Sequence, residues 1–592
     1  MIKYYCKECK IECESSSCAI CGERTIAKSK IYWCENCNVP IYEEVCSCCG
    51  GNGKEIGTDI RPVFPEERLM LEILLGEPFK YKDSSVWVAS NNKYIIDGVK
   101  KRFKQSKLME MSPSEVIEQL EKNKAQNSYE VFEKYISKFI KINSNRYNFL
   151  VTEAVDFIKE QKKNYSDDET FVSFSGGKDS TVVSSLVMRA LGNPSIIHIF
   201  GDTTLEFPFT YEYAKRFKSE HTKTPFLSAR NKDKNFYDMC EVIGPPSRVM
   251  RWCCTVFKTG AITKKINSVF KDKKNILTFY GIRRSESASR NKYDRVSDSP
   301  KITKQNVVSP IIDWIDFDVW LYILTTKIDF NDAYRFGYSR VGCWCCPNNT
   351  LWAQYLSKIY MPEQSKRWRE QLINFAIKVG KKDPEVYVDD GMWKARQGGN
   401  GVEYSENTFV EFKPCAAEKE SFNYDLNKPI SEELYEFFKP FGWINKEMGN
   451  SRLGQVYITD KIGNPILRLQ GKIGSKELKV TIIKIPKGKS IRSIKQRIDC
   501  QLTKYQMCLG CLACESICKQ NAIIVKKHAH ENELKSGKIN DTYKIIDEKC
   551  IRCGECINHF HGGCYMRKGV ITGKIVISRN NFYINNVYIH IK

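Results

Sequence analysis

The sequence predicts a multidomain α/β protein, in which a central parallel sheet with helices on both faces lies between two cysteine-rich ends. The chain has 592 residues, which at roughly 150 residues per domain suggests about four domains. Hydrophobic residues make up 42% of it and aromatic residues 12%, so packed cores are expected rather than wholesale disorder. In the middle of the chain, apolar strand patterns alternate with helical patterns, which is the order of a parallel sheet. The 26 cysteines fall into three separate groups.

The positive charge favours a polyanionic partner. Lys and Arg number 93 against 70 Asp and Glu, a net charge of +23, which suits a nucleic acid or a nucleotide. A proteome generally rich in Lys and Ile is the alternative explanation. The sequence has no apolar signal-peptide core and no run of ~18 apolar residues that would span a membrane. We therefore expect a cytoplasmic protein without membrane contact, whose cysteines are metal ligands or catalytic thiols rather than disulfides.

Residues 1–52 are predicted to form a double zinc ribbon. Two Cys-x2-Cys pairs lie eight residues apart, and the same pattern recurs 28 residues later. Each pair places two sulfurs on one turn, and two turns complete a tetrahedral thiolate site. Two structural zinc ions are expected, with iron or a disordered tail as alternatives, and a closed site indicates a structural or partner-binding role. The predicted ligands are Cys6, Cys9, Cys18 and Cys21 in the first repeat and Cys34, Cys37, Cys46 and Cys49 in the second.

Two smaller regions follow. Residues 53–110 contain a short helix pattern and strand-like runs at 86–88 and 94–96, so they are expected to form a small α+β module. The module weakly resembles PUA-like RNA-binding domains, and a plain spacer is the alternative. Residues 111–165 carry apolar residues at helical spacing among charged ones, which predicts a helical connector.

A phosphate-binding loop is predicted after the first strand of the central sheet. An apolar run over 171–175 leads into Gly176-Gly-Lys-Asp-Ser180, which opens a helix. A helix N-terminus presents backbone N–H groups to phosphate, and glycines remove Cβ atoms where the chain approaches the anion. The lysine adds charge and the serines add hydroxyl donors. The spacing is not that of Walker A, which has four residues between its glycine and Gly-Lys-Ser/Thr.

Two further strands deliver polar residues to the same edge. The run 195–203 ends in Asp202 and Thr203, and the run 276–280 leads into a polar segment that begins at Gly281. Open α/β sheets bind ligands outside the carboxyl ends of their strands, so these residues are expected beside the phosphate loop. Asp202 and the loop's Asp179 are predicted to share a Mg²⁺ that bridges the phosphates of the nucleotide.

Ser175-Gly-Gly-Lys-Asp-Ser180 resembles the PP-loop of ATP pyrophosphatases, which cleave ATP between its α- and β-phosphates. With the segments after the other two strands and Pro310-Ile-Ile-Asp-Trp314, it resembles the phosphoadenylyl-sulfate (PAPS) reductase branch of that superfamily over about residues 150–375. The resemblance implies an adenine nucleotide alpha hydrolase-like fold for residues 166–395, with ATP or a sulfonucleotide (PAPS or APS) as ligand. The catalytic residues it implies are Lys178, Asp179, Asp202 and Arg283. The nucleotide-binding residues it implies are Ser173, Ser175, Gly176, Gly177, Lys178, Asp179, Ser180, Asp202, Thr203, Gly281, Arg283, Glu286, Ser287 and Arg290.

The same resemblance implies one [4Fe-4S] cluster in the central domain. Iron–sulfur members of the family hold a cluster on a Cys-Cys pair and a distant Cys-x2-Cys pair. Here these correspond to Cys253, Cys254, Cys343 and Cys346, with Cys345 as an extra, and zinc or free thiols are the alternatives. The Glu-Cys-Gly-x-His-like segment with which PAPS reductases attack sulfur has no counterpart in the sequence, which puts that thiol mechanism in doubt.

Residues 400–498 are expected to form an α+β domain without a recognisable chemical signature, and residues 499–592 a bacterial-ferredoxin-like α+β domain. In a ferredoxin run, the fourth cysteine binds the other cluster. Two [4Fe-4S] clusters are therefore expected, with a single cluster as the alternative and Cys500 as a substitute ligand. The predicted ligands are Cys508, Cys511, Cys514 and Cys564 for one cluster and Cys518, Cys550, Cys553 and Cys556 for the other.

Three functions remain open. The first is an enzyme that activates a nucleic acid, RNA or DNA, with ATP and then delivers sulfur, as the PP-loop subunit of DNA phosphorothioation systems would. The second is a PAPS or APS reductase that draws electrons from its own ferredoxin domain. The third is a non-catalytic, redox-sensing nucleic-acid-binding protein. A sulfur-donor or electron-donor protein is a further expected partner.

Overall fold

The computed structural model describes most of the chain. The described residues are 3–6, 8–13, 18–22, 25–89, 93–232, 234–248, 250–287, 290–298, 304–395, 411–486, 488, 490–508, 513–525, 543–558, 576–578, 581–584 and 587–588. None of the helices within these ranges has the length and hydropathy needed to cross a bilayer.

The N-terminal repeats form two small three-stranded sheets, in which each cysteine pair lies on a turn. The strand orders are β2-β1-β3 in the first sheet and β5-β4-β6 in the second, and all pairings are antiparallel. Their strands are β1 (Lys3–Cys6), β2 (Ile11–Cys13), β3 (Ile26–Lys28), β4 (Ile31–Cys34), β5 (Val39–Ile41) and β6 (Lys54–Gly57).

The expected α+β module is an antiparallel four-stranded sheet with one long helix. Its strand order is β10-β9-β8-β7, and the buried side chains of α1 pack on the sheet. The module comprises β7 (Ile60–Pro62), α1 (Pro65–Leu74), β8 (Val86–Ala89), β9 (Lys93–Ile96) and β10 (Val99–Arg102). A short helix, α2 (Gln105–Leu108), ends the expected module, and the expected helical connector consists of α3 (Pro113–Asn123), α4 (Glu130–Ile142) and α5 (Ser144–Lys162).

The central domain contains the predicted parallel sheet. Its order is β13-β12-β11-β14-β16-β15, parallel except for the edge strand β15. The inner strands are almost wholly buried, as expected where helices cover both faces. The elements are β11 (Thr170–Phe174), α6 (Lys178–Leu191), β12 (Ile197–Asp202), α7 (Pro208–Glu220), β13 (Phe226–Arg230), α8 (Phe236–Ile243), α9 (Gly260–Val269), β14 (Ile276–Tyr280), β15 (Val296–Asp298), β16 (Gln305–Val308), α10 (Asp316–Thr326), α11 (Leu351–Tyr360), α12 (Pro362–Lys378) and α13 (Pro384–Asp389).

The C-terminal part begins with a six-stranded antiparallel sheet of order β17-β18-β22-β21-β20-β19. One hydrophobic core joins this sheet to the cysteine-bearing helices that follow, and the boundary expected near residue 498 falls inside α15. The elements are β17 (Glu411–Pro414), β18 (Ser421–Asp425), α14 (Glu433–Phe438), β19 (Trp443–Asn445), β20 (Gln455–Thr459), β21 (Pro465–Gln470), β22 (Glu477–Ile482), α15 (Ile491–Met507), α16 (Ala513–Ile517), β23 (Ile523–Val525), β24 (Tyr543–Ile545), α17 (Glu555–Asn558), β25 (Val576–Ser578), β26 (Asn581–Ile584) and β27 (Val587–Tyr588).

Candidate active site

The loop between β11 and α6 is shaped by its two glycines. Gly176 has φ +70°, and a Cβ there would lie 2.7 Å from Cγ2 of Thr210, so only glycine fits without strain. Gly177 is the N-cap of α6, and a Cβ there would lie 3.2 Å from the Tyr334 hydroxyl. The first turn of α6 therefore presents its N–H groups at the carboxyl edge of the sheet, as a phosphate site requires.

Hydroxyl groups hold this loop in place. Ser180 Oγ donates to the Gly177 carbonyl (2.8 Å) and accepts from the Ser175 backbone N–H (3.2 Å) and hydroxyl (3.1 Å). The Lys178 backbone N–H is bonded to the Tyr334 hydroxyl at 3.1 Å. Ser173, which was expected to bind nucleotide, lies inside β11 and hydrogen-bonds the Tyr280 hydroxyl.

Two cations and two carboxylates form an ion-pair network beside the loop, in which Asp316 is the most exposed member. Arg283 Nε contacts Asp179 Oδ1 at 2.5 Å, and its Nη2 contacts Asp316 Oδ1 at 2.7 Å. Lys178 Nζ lies 3.3 Å from each of the same two carboxylates. The Lys178 and Arg283 side chains are only 5% and 4% exposed, so each charge depends on its partners.

The network keeps all four groups ionised. Burial alone would raise the pKa of Asp316, but Lys178 and Arg283 bring it well below its ordinary value. Burial also opposes the charge of Arg283, while Asp179 and Asp316 raise its pKa above the ordinary value. The expected catalytic residues Lys178, Asp179 and Arg283 are thus brought together, although Asp179 contacts cations rather than Asp202.

Gly281 explains how the third strand reaches the loop. A Cβ at Gly281 would lie 2.6 Å from the carbonyl carbon of Asp179 and 2.7 Å from the backbone nitrogen of Ser180. The end of β14 therefore lies directly against the first turn of α6. Hydrogen bonds and an ion pair hold the residues that follow Gly281. Glu286 accepts from the Arg283 backbone N–H at 3.2 Å and forms an ion pair with Arg290. Ser287 Oγ accepts from the Arg290 backbone N–H at 3.2 Å.

Asp202 and Thr203 end β12 on the other side of the loop. Asp202 Oδ1 accepts from the Tyr211 hydroxyl and the Thr204 N–H, both at 2.9 Å. Thr203 donates to Glu206 at 2.8 Å. The carboxylate of Asp202 can attract a cation at this edge, and the shared Mg²⁺ stays a prediction.

The Asp202–Thr203 loop joins the central cysteines directly. Trp344 N–H donates to the Leu205 carbonyl (2.9 Å), and Phe207 N–H donates to the Gly342 carbonyl (3.2 Å). Thr203 Oγ1 lies 3.5 Å from Cys343 Sγ. A short antiparallel pairing therefore fastens the loop of the Cys-x2-Cys pair to the segment that follows β12.

All four predicted cluster ligands come together there. Cys254 begins a π-helical turn (Cys254–Thr259) ahead of α9, a distortion that is frequent at functional sites. The Cys254 thiol lies close enough to raise the pKa of Cys253. Burial raises the pKa of Cys343 and Cys346, and the nearby Cys254 thiol raises it further. Cys345 is buried in the same core, near Cys343 and Cys240. Among the described residues, these four sulfurs do not form a group tight enough for a single metal ion, and the cluster in the central domain stays a prediction.

The N-terminal tetrads fit a single metal ion each. All four sulfurs of each predicted repeat lie within 4.8 Å of one another, with Cys34–Cys49 at 3.4 Å and Cys37–Cys46 at 3.8 Å. A tetrahedron with Zn–S bonds of about 2.3 Å has S–S edges of about 3.8 Å. These cysteines can therefore bind zinc.

The C-terminal cysteines are partly described. The pKa of Cys556 is raised to about 12, mainly by burial and also by the thiols of Cys514, Cys518 and Cys550, while Lys504 acts in the opposite direction. These four cysteines therefore lie close together. Cys511 and Cys564 are outside the described residues. Helix α16 packs on α9 and on the π-helical turn, which places the C-terminal cysteines next to the helix that follows Cys254.

A cavity of about 1210 Å³ borders the site at the ends of β12 and β13. Its walls carry four basic and four acidic residues together with aromatic rings, and the Arg367 guanidinium lies over the Tyr237 ring at 4.1 Å. Trp344, between Cys343 and Cys345, forms another part of the wall. The cavity therefore borders the segment that follows β12 and the loop that carries the Cys-x2-Cys pair.

Sequence reasoning missed three residues of the site. Asp316 and Tyr334 contact Lys178, and Lys258 in the π-helical turn acts electrostatically on Glu206 and Cys343. Asp316 stands two residues after the Pro310–Trp314 element and begins a helix, which was a usable signal. Tyr334 and Lys258 had no such signal.

Comparison with known proteins supports two of the predicted domains. Residues 169–349 match the family described as phosphoadenosine phosphosulfate reductase domain, and residues 507–559 match the family described as 4Fe-4S dicluster domain. The chain thus combines a PAPS reductase-like PP-loop domain with an iron–sulfur domain, as the motifs predict. Cys564 lies beyond the second match.

Relatives cover parts of the chain. One uncharacterized protein of Methanocaldococcus jannaschii is 32% identical over 269 residues, which cover 44% of this chain and 61% of the relative. A second uncharacterized protein of the same organism is 30% identical over 266 residues, which cover 45% of this chain and 54% of the relative. The chain therefore spans about half to three fifths of their length. Adenosine 5'-phosphosulfate reductase of Anoxybacillus flavithermus is 29% identical over 31% of this chain and 74% of its own. The solved PAPS reductase of Candida auris in its phosphate complex has a TM-score of 0.25 and 13% identity over 32% of this chain and 95% of its own.

Proposed function

We propose that this protein is a PP-loop enzyme that activates a nucleic acid with ATP and then delivers sulfur to it. The observation that supports ATP most is the charge balance of the loop. Lys178 and Arg283 are already matched by two carboxylates, and Asp202 adds a third at the same edge. An anion bound at these residues would therefore be favoured by a divalent cation, which ATP brings and carboxylates attract.

The chemistry follows from where the anion would lie. An oxygen of the nucleic acid attacks the α-phosphorus of ATP, the bond from that phosphorus to the bridging oxygen breaks, and pyrophosphate leaves. The N–H groups of α6 and the Lys178 ammonium would stabilise the departing charge. A sulfide co-substrate then forms a bond to the activated atom, and AMP leaves with the original oxygen.

The cavity beside the nucleotide loops suits the nucleic acid. Its basic residues Arg230, Lys232 and Arg367 can contact phosphates, and Tyr237 and Trp344 offer rings for base stacking. The net charge of +23 adds long-range attraction for a polyanion. A nucleotide held there would lie between the Asp202 loop and the cysteines.

Cys253, Cys254, Cys343 and Cys346 would hold a [4Fe-4S] cluster in the central domain, and the ferredoxin-type cysteines would hold up to two more. Such clusters supply single electrons at potentials set by their surroundings. The N-terminal tetrads would hold two zinc ions in a structural or nucleic-acid-contacting role.

The test is product analysis with protein that is prepared without oxygen. With sulfide present, we expect AMP and pyrophosphate from ATP and Mg²⁺, stimulated by RNA or DNA, and a loss of about 10²-fold in Lys178→Ala if Lys178 stabilises the transition state. The exposed Lys218→Ala on α7 is the matched control and should behave as wild type. No AMP formation with either nucleic acid would refute ATP activation.

A sulfonucleotide reductase is the second candidate, favoured by the similarity of residues 169–349 to proteins named adenosine 5'-phosphosulfate reductase. In that reaction two electrons break the bond between sulfur and the phosphate oxygen, which releases sulfite and the nucleoside phosphate. An external electron donor would deliver the electrons through the C-terminal domain. This candidate predicts sulfite from APS or PAPS and no ATP turnover.

A further inference from the structure

The N-terminal module reaches the nucleotide site through Asp59. This residue lies between β6 and β7, and its two carboxylate oxygens accept from the backbone N–H groups of Asp316 and Phe317, each at 3.0 Å. Those residues begin α10, whose N-cap, Ile315, has no side-chain acceptor. An acceptor 257 residues away therefore caps a helix that would otherwise start with free donors.

The capped residue is the one that bridges the two site cations. The Asp316 carboxylate contacts Lys178 and Arg283 at 3.3 and 2.7 Å. Its backbone is held by Asp59 from one side while its side chain holds both cations on the other. A shift at the start of α10 would therefore move the carboxylate that orients Lys178 and Arg283.

The same module braces the site at a second point. Arg61 is paired with Glu67 through two bonds of 2.6 and 2.8 Å. The Glu67 N–H donates to the Arg335 carbonyl at 3.1 Å, and a Cβ at Gly337 would lie 3.0 Å from Glu67 Cγ. This fixes the segment next to Tyr334, whose hydroxyl is bonded to the Lys178 N–H.

We infer that the α+β module of residues 53–110 is a component of the nucleotide site, with Asp59 as a positioning residue that sets Asp316 and, through it, Lys178 and Arg283. The inference rests on the proposed binding of an adenine nucleotide at the PP-loop. It gives the module a role in addition to those expected from its sequence. Partial burial and the nearby Asp316 carboxylate raise the pKa of Asp59 to about 7, as expected for an acid that is held at a crowded charged site.

The experiment compares Asp59→Asn with a matched control in the same module. Asp97 also accepts a backbone N–H, from Ser85 at 2.9 Å, and the side-chain amide of Asn38 at 2.6 Å. Neither partner belongs to the central domain, so Asp97→Asn tests the general cost of the change. ATP affinity is measured by calorimetry on the full-length protein with Mg²⁺. We expect Asp59→Asn to weaken it by about tenfold or more, the order for losing a charged acceptor, and Asp97→Asn to leave it unchanged.

A double variant separates positioning from a general loss of stability. If Asp59 acts through Asp316, adding Asp59→Asn to Asp316→Asn should weaken binding no further, because coupled residues are not additive. Hydrogen exchange of the amides at 316 and 317 should rise in Asp59→Asn only. Additive losses, or equal affinity of the Asp59→Asn and Asp97→Asn proteins, would overturn the inference. A wild-type protein that binds neither ATP nor a sulfonucleotide would instead refute the proposed function on which it rests.

Discussion

Gly281→Ala is expected to disable the nucleotide site without changing any of its functional groups. The new Cβ would lie 2.6 Å from the Asp179 carbonyl carbon and 2.7 Å from the Ser180 nitrogen, whereas ordinary contacts begin at 3.4 Å. The end of β14 and the first turn of α6 must therefore separate by about 0.8 Å. All of the clashing atoms belong to the backbone, so no side-chain rotation relieves the contact. The displacement acts directly on the bond between Arg283 and Asp179.

The expected cost has two parts. A misplacement of about 1 Å in a reacting geometry costs on the order of 10²-fold in rate, and overpacking a close contact costs about 1–3 kcal/mol of stability. Gly342→Ala is the control, because its Cβ would meet nothing within 4 Å although it precedes Cys343. Calorimetry with ATP, AMP formation and thermal unfolding are compared for both variants. Equal ATP affinity and rate in the two variants would refute the proposed contact between β14 and the loop.

Three further predictions concern the metals and one buried histidine. Cys46→Ser should remove one of two zinc ions per chain as measured by metal analysis, whereas Cys48→Ser, outside the tetrad, should remove none; equal zinc in both would contradict the site. Cys254→Ser should lower iron by about four per chain, one [4Fe-4S] cluster, and Cys345→Ser should not; unaltered iron in the former would mean thiols or zinc. Burial lowers the pKa of His198 to about 4 from 6.5, so the unfolded chain takes up the proton first. The contribution of neutral His198 to the free energy of unfolding is therefore fully present above pH 6.5 and falls by on the order of 3 kcal/mol toward pH 4. His198→Gln should reduce the change of melting temperature with pH over that window, and an unchanged pH dependence would contradict the burial of His198.

The elements of the central sheet could be predicted because their signals are local. The apolar run of β11, the two glycines and the helical pattern of α6 are adjacent in sequence, and β14 was expected at 276–280, where it lies. The family resemblance then predicted that Asp179 and Arg283 belong to one site, and in the structure Asp179 Oδ1 lies 2.5 Å from Arg283 Nε.

The rest of the site is made by contacts that no local pattern encodes. Asp59 caps α10 across 257 residues, and Tyr334 bonds the Lys178 N–H across 156. The Cys-x2-Cys spacing predicted a metal-binding role for Cys343, but only the fold places that residue 3.5 Å from Thr203. Because such pairings depend on the packing of whole elements, composition and spacing could not supply them.

The central claim is that the PP-loop activates a nucleic acid with ATP. The most direct test uses ATP labelled at the α-phosphate, with anaerobic protein, Mg²⁺ and RNA or DNA, in the absence of a sulfur source. We predict label attached to the nucleic acid as an adenylate, which sulfide then releases as AMP. Unlabelled nucleic acid and unconsumed ATP, together with sulfite release when APS or PAPS and an electron donor are supplied, would contradict the claim and favour the reductase.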